Sequence, residues 1–258
     1  AHMVEQRATG NPEMKLGGST APIVFVLTSI AWREAWKYRD RAYRYCLHDI
    51  GHAWQSLALA ARAMGCDSYA TGDFSDDEVT RSIRLHEDEW PMLIIELRGR
   101  AIPRRQQDSC EAVWYGGHAN QLSSEVVSYP QIGAIHSATK LHGRACRSIS
   151  AAEPGRYGSG EIKLPPPALS RRPFGEVVRQ RRSALDFLGG TQLMSLPQLS
   201  AILASAMRPL LADFAGAGFI QLYIYAHRVD GLEPGVYRLW AEGSELEQIV
   251  RGDQRVAA

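Results

Sequence analysis

The chain has 258 residues, of which 45% are hydrophobic, 9% aromatic and 22% charged, an ordinary globular usage that excludes wholesale disorder. Lys plus Arg (29) and Asp plus Glu (28) nearly cancel to a formal net charge of +1, so no global electrostatic footprint for nucleic acid exists. The length allows one large domain or two small ones, and the longest apolar run, Ala21 to Ile30, is about 10 residues, too short to span a bilayer.

The first residues do not read as a signal peptide, and Ala1-His2-Met3 reads as a cloning remnant ahead of Val4. Four cysteines (Cys46, Cys66, Cys110, Cys146) stand far apart without a CxxC pair. Zinc needs clustered ligands, so no metal site is expected. Nothing suggests export, and four reduced thiols in a cytoplasmic protein are expected.

In chain order, Ile23 to Thr28 is rich in β-branched and aromatic residues and predicts a buried strand. Ile50, Ala53, Leu57, Ala60 and Met64, spaced 3, 4, 3 and 4, predict one apolar helix face, with Gly65 where a terminating glycine belongs. Asp76-Asp77-Glu78 suits the start of a helix within Asp73 to Leu85. Met92 to Leu97, after Pro91, predicts a second buried strand.

From about Arg100 to Ser170 the character changes. Gly116-Gly117, Gly155, Gly158, Gly160 and Pro165-Pro166-Pro167 are linker chemistry, with a short helix expected from Tyr129 to Leu141. Beyond it, Phe174 to Arg182 predicts a helix, and Ser195 caps another with Leu196, Leu199, Ile202 and Leu203 on one side. Phe219 to Tyr225 and Gly235 to Leu239 predict two strands of a hairpin. Strands mixed with helices make an α+β chain.

Several residues carry candidate chemistry. If helical, Lys37, Arg41, Arg44 and His48 form a cationic stripe that suits a phosphate or carboxylate, or else a solvated face. A Lys beside a Tyr, here Lys37-Tyr38, can also move protons. Arg181-Arg182-Ser183 ends a helix and offers two guanidinium groups and a hydroxyl to a phosphate; the alternative is a polar helix end favoured by the dipole. Gly72, Gly216 and Gly218 permit close approach of backbone to a flat ligand, although their spacing fails the dinucleotide fingerprint. His52 reads as a histidine bonded to nearby backbone.

The segment Trp36 to Tyr45, followed by Asp49-Ile50-Gly51-His52, Gln55, Leu57, Ala60-Ala61 and Gly65, resembles the second half of SagB-type dehydrogenases, a branch of the nitroreductase-like flavoproteins. Gly72 to Val79 is similar to the flavin-side loop and next helix of that family. Phe174 through Arg181-Arg182-Ser183, Leu196 to Leu203 and Pro234 to Leu239 resemble its first half. The likeness covers about two thirds of the chain and implies an inverted order: a carboxyl-side half at 4–99, a linker with short helices at 100–170 and an amino-side half at 171–258. Such a chain is a circular permutant or the central part of a tandem protein.

The resemblance implies a mixed, mostly antiparallel sheet flanked by helices, and FMN held in a homodimer. Arg181, Arg182 and Ser183 would take its phosphate and ribityl chain; Ala70, Thr71 and Gly72 would approach its ring; Lys37 and Tyr38 would remove a proton during hydride transfer. The implied activity is oxidation of a peptide or azoline-like small-molecule substrate, with no nucleic-acid or membrane partner. An NAD(P)H-dependent nitro or quinone reductase and a flavin-free module that binds a peptide or protein are the alternatives. Two departures favour the module: Phe214-Ala215-Gly216 stands where the family carries Pro-Ser-Ala-Gly, and Leu185 where it often has Arg.

Overall fold

The computed structural model describes residues 3–5, 23–99, 113–115, 123–142, 158–168, 170–186, 191–208, 210–214, 220–242 and 244–255. It divides into two units: Ala1–Ser148 with Leu210–Phe214, and Ile149–Pro209 with Ala215–Ala258. Gly116, Gly117, Gly155, Cys110, Cys146 and residues 215–219 lie outside the described residues.

In the first unit, β1 (Met3–Glu5) pairs antiparallel with β5 (Val113–Tyr115). β2 (Ile23–Ser29) and β3 (Asp67–Thr71) flank β4 (Trp90–Arg98), both antiparallel to it. Strand alternation sends successive side chains to opposite faces. Leu93 and Ile95 pack under Ile50, Trp54 and Leu57, and Leu97 under Leu57 and Ala61. Ile94 packs with Phe74, Val79 and Ile83 on the other face. β4 is thus buried on both sides, which is why it reads as one apolar run. β2 is an edge strand, and Ile23 and Phe25 remain exposed, against the expectation of a buried strand.

The helices follow from the same sequence. α1 (Trp32–Tyr38) ends where Arg39 takes φ 51°; a single 3-10 turn, Arg39–Arg41, leads into α2 (Ala42–Ala63). The expected Lys37–His48 stripe on one helix is therefore interrupted: Lys37 belongs to α1, Arg44 and His48 to α2. The buried face of α2 runs through Cys46, Ile50, Trp54, Leu57 and Ala61, while Ala53, Ala60 and Met64 are exposed. Trp54 buries far more apolar surface than Ala53, and the face turns toward it. Gly65 adopts φ 74° and donates to the Arg62 carbonyl, the left-handed ending expected of it.

α3 (Asp76–Ser82) is capped by Ser75, whose hydroxyl accepts from the Glu78 amide. α4 (Pro130–Thr139) lies in the stretch expected as linker. Ile132 packs against Ala31, Ala35, Ala42 and Cys46, and His136 stacks on Trp90 at 4.0 Å. Asp76 fixes the end of this stretch: its carboxylate accepts from the Leu141 amide at 2.8 Å, and its own amide donates to the Leu141 carbonyl. Cys46 and Cys66 are both free and buried, and burial raises the Cys46 thiol pKa.

In the second unit, β6 (Ile162–Lys163), β11 (Glu245–Arg251), β10 (Gly235–Trp240) and β8 (Tyr223–Ala226) form an antiparallel sheet in that order. A parallel pair joins β7 (Met194–Ser195) and β9 (Val229–Asp230). The core gathers Leu164, Leu199, Leu203, Ala226, Leu232, Tyr237, Leu239 and Leu246. α6 (Leu196–Ala206) carries a full capping box, Ser195 with Gln198. Leu199 and Leu203 are buried as expected; Ile202 is exposed. α5 (Phe174–Gln180) contributes no buried residue. Among the described residues no helix is long and apolar enough to cross a membrane.

Candidate functional site

The 70–73 loop is built by chain segments far apart in sequence. Ala70 is fully buried, pairs with Ile95 and bridges Ala212. Its amide donates to Leu211, and its carbonyl accepts from the Asp213 amide. The strand thereby ends with Thr71 buried and the next two amides pointing at one carboxylate. Gly72 donates to Asp213 Oδ1 at 2.7 Å and Asp73 to Oδ2 at 3.1 Å. Two successive amides converging on one anion form a small notch for an acceptor. Gly72 lets the neighbouring Phe214 side chain close in tightly: a Cβ there would lie 3.0 Å from the Phe214 ring, which would have to give way by a few tenths of an ångström. That ring rests 5.6 Å from Trp54. Trp54 Nε1 and Asp73 Oδ1 are buried with no hydrogen-bond partner among the described residues.

Across the break between α1 and α2, rings and cations line up. Tyr38 stacks on Tyr45 at 3.9 Å, and the Lys37 ammonium stands 5.1 Å from the Tyr38 ring centroid. Arg41 donates to the Tyr45 hydroxyl at 3.0 Å, and His48 meets the Tyr45 ring edge-on. The break at Arg39 thus scatters the stripe along the helix axis but keeps Lys37, Tyr38, Arg41 and Tyr45 in one row. Tyr38 is half-buried and Lys37 exposed. His52 Nδ1 lies 2.9 Å from the His48 carbonyl oxygen, a local helix bond of the kind expected.

In the second unit, Arg181, Arg182 and Ser183 follow α5 and are all exposed. The Arg182 guanidinium is committed to the helix end, donating to the carbonyls of Arg179 and Arg181 at 3.1 and 2.8 Å. That half of the triplet behaves as the polar helix end. Neither the Arg181 guanidinium nor the Ser183 hydroxyl has a side-chain partner among the described residues. An uncommitted guanidinium beside a hydroxyl fits a phosphate, and two converging amides fit the acceptor edge of a flavin ring. The chemistry of both donor sets therefore suits FMN, although the amide pair is held by Asp213 in this structure.

Asp213 and Trp54 escape sequence reading. Asp213 lies 141 positions from its partner Gly72, and nothing local marks it. Trp54 is betrayed only by its size beside Ala53 on α2.

With this geometry in place, comparison with known proteins is informative. Residues 15–100 match the sequence profile of the Nitroreductase family. A Methanocaldococcus jannaschii protein provisionally named a nitroreductase is 32% identical over 82 residues, 32% of this chain and 40% of its own length. A crystal structure of a provisionally named nitroreductase from Anabaena variabilis superposes with a TM-score of 0.66 at 19% identity, covering 92% of this chain and 51% of that one. The chain spans about two fifths of the length of the first of these proteins and about half of the second. The fold is nitroreductase-like, in the α+β class expected.

Proposed function

We propose that the chain acts in an FMN-dependent oxidoreductase of the nitroreductase type, as a SagB-like dehydrogenase of a peptide or azoline-like substrate. The carrying observation is the Gly72–Asp73 amide pair, an acceptor-binding notch inside the stretch that matches the Nitroreductase family. Arg181 and Ser183, uncommitted after α5, support the reading from the second unit. In it, Arg181 and Ser183 hold the phosphate, with Arg182 stiffening the turn they stand on. Ala70, Thr71 and Gly72 present the ring-side backbone. Bound FMN supplies a two-electron acceptor. Tyr38, oriented by its stack on Tyr45, and Lys37 take the substrate proton.

The reading includes a homodimer. α5 and its continuation leave Phe174, Val178 and Leu185 in water, Leu185 at 95% exposure, and such a patch calls for a covering surface. One observation favours a second reading, the flavin-free module: the Gly72 amide already has a charged acceptor in Asp213.

The test is flavin absorbance of the purified full chain, followed by turnover. Copurifying or readily taken-up FMN supports the oxidoreductase, and nitroaromatic reduction with NADPH would turn it toward a nitro or quinone reductase. A colourless protein that takes up no added FMN contradicts it and leaves the module.

A further inference from the structure

We infer that Asp213 is an internal stand-in for the ligand at the Gly72–Asp73 amides, so that it sets the affinity of the loop for FMN. The inference rests on the oxidoreductase reading above. Three observations carry it. The carboxylate of Asp213 spans both amides, one oxygen on each, at 2.7 and 3.1 Å, as an incoming acceptor edge would have to do. Phe214, the exposed residue next to Asp213, reaches over Gly72 so that a Cβ there would stand 3.0 Å from its ring, which puts this segment's side chains directly at the loop. Both residues come from a short segment anchored to Ala70 by two backbone bonds and a parallel bridge, so the side chains are presented rather than placed by chance.

An amide hydrogen bonds one strong acceptor at a time, and a carboxylate outcompetes the neutral nitrogen and carbonyl acceptors of a flavin ring. Asp213 is exposed, so it can swing into water at modest cost when displaced. The loop therefore exists in two states with the same backbone donors: closed on Asp213, or open to the ring. Binding is weakened by the fraction of time it spends closed.

The experiment is FMN titration of the full chain, wild type against Asp213→Ser and Asp213→Asn, followed by flavin fluorescence. Asp213→Ser is expected to bind FMN about tenfold more tightly, the effect of losing one charge-assisted competitor. Asp213→Asn, which keeps one carbonyl acceptor, falls between. Amide hydrogen exchange accompanies the titration: Gly72 and Asp73 lose protection in Asp213→Ser while Ile94 keeps it, showing that the fold persists. Equal or weaker binding by Asp213→Ser overturns the inference and leaves the FMN reading standing. Absence of FMN binding in every variant overturns both.

Discussion

The 70–73 loop and the Arg181–Ser183 turn offer donors in opposite ways. The loop uses backbone amides, aimed by a strand end and by a segment about 140 residues further along the chain. The turn uses side chains that leave the end of a short helix, and one of them, Arg182, is consumed in finishing that helix. Backbone donors are rigid and already engaged by Asp213; side-chain donors at Arg181 and Ser183 are uncommitted but must be ordered when they bind. Fixed backbone donors favour orientation, and mobile charged side chains favour strength of attraction.

The largest expected effect falls outside both regions. Lys37→Ala and Tyr38→Phe should keep flavin yet lose about 10²–10⁴-fold in turnover of an azoline-type substrate, the usual loss of a general base. Near-normal turnover by both variants would leave Lys37 as a surface cation and Tyr38 as a packing ring.

The loop is sharpened next by Ile95→Ala. Ile95 is fully buried directly against Ala70, so its truncation should cost the first unit about 2–5 kcal/mol in urea unfolding and loosen the Gly72 amide to hydrogen exchange. The second unit has a matched, smaller probe in Ser195→Ala, which removes the capping box of α6 at a cost of about 1 kcal/mol. Gly72 exchange unchanged in Ile95→Ala would break the link between sheet packing and the notch.

The smallest effect is a pH slope. Burial between Trp90 and Tyr43 pushes the His136 imidazole below its ordinary pKa of 6.5, with Asp76 and Asp77 opposing and Lys140 adding to the shift. The unfolded chain then binds the proton that the folded one refuses. The His136 contribution to first-unit stability is thus full above about pH 6.5 and falls as pH drops below it. His136→Phe keeps the stack and should flatten that part of the melting-temperature profile; an unchanged slope would show that other groups cause it.

How much of this was legible in the sequence depends on range. α3 with its acidic first turn, the Gly65 ending and the Ser195 cap are local signals, and they read correctly because neighbours in sequence decide them. β4 was legible because burial on both faces writes an apolar run. β3 and β11 were missed: Asp67–Thr71 and Glu245–Arg251 are polar and alternate weakly, and only their partners make them strands. The same holds for the candidate site. Arg181, Arg182 and Ser183 stand together in sequence and so suggest themselves, whereas Asp213 acquires its meaning only by meeting Gly72. The continuous Lys37–His48 stripe failed at a single backbone dihedral, the positive φ of Arg39, which its residue type does not advertise.

The most direct test of the account is FMN affinity in Arg181→Ala set beside Arg182→Ala. Arg181 is uncommitted and Arg182 is spent on backbone carbonyls. Loss of a charge-assisted phosphate bond, about 1.5–3 kcal/mol, should weaken FMN binding by about 10–150-fold in Arg181→Ala and distinctly less in Arg182→Ala. Equal FMN affinity in wild type and Arg181→Ala would contradict the assignment of this turn to the flavin phosphate.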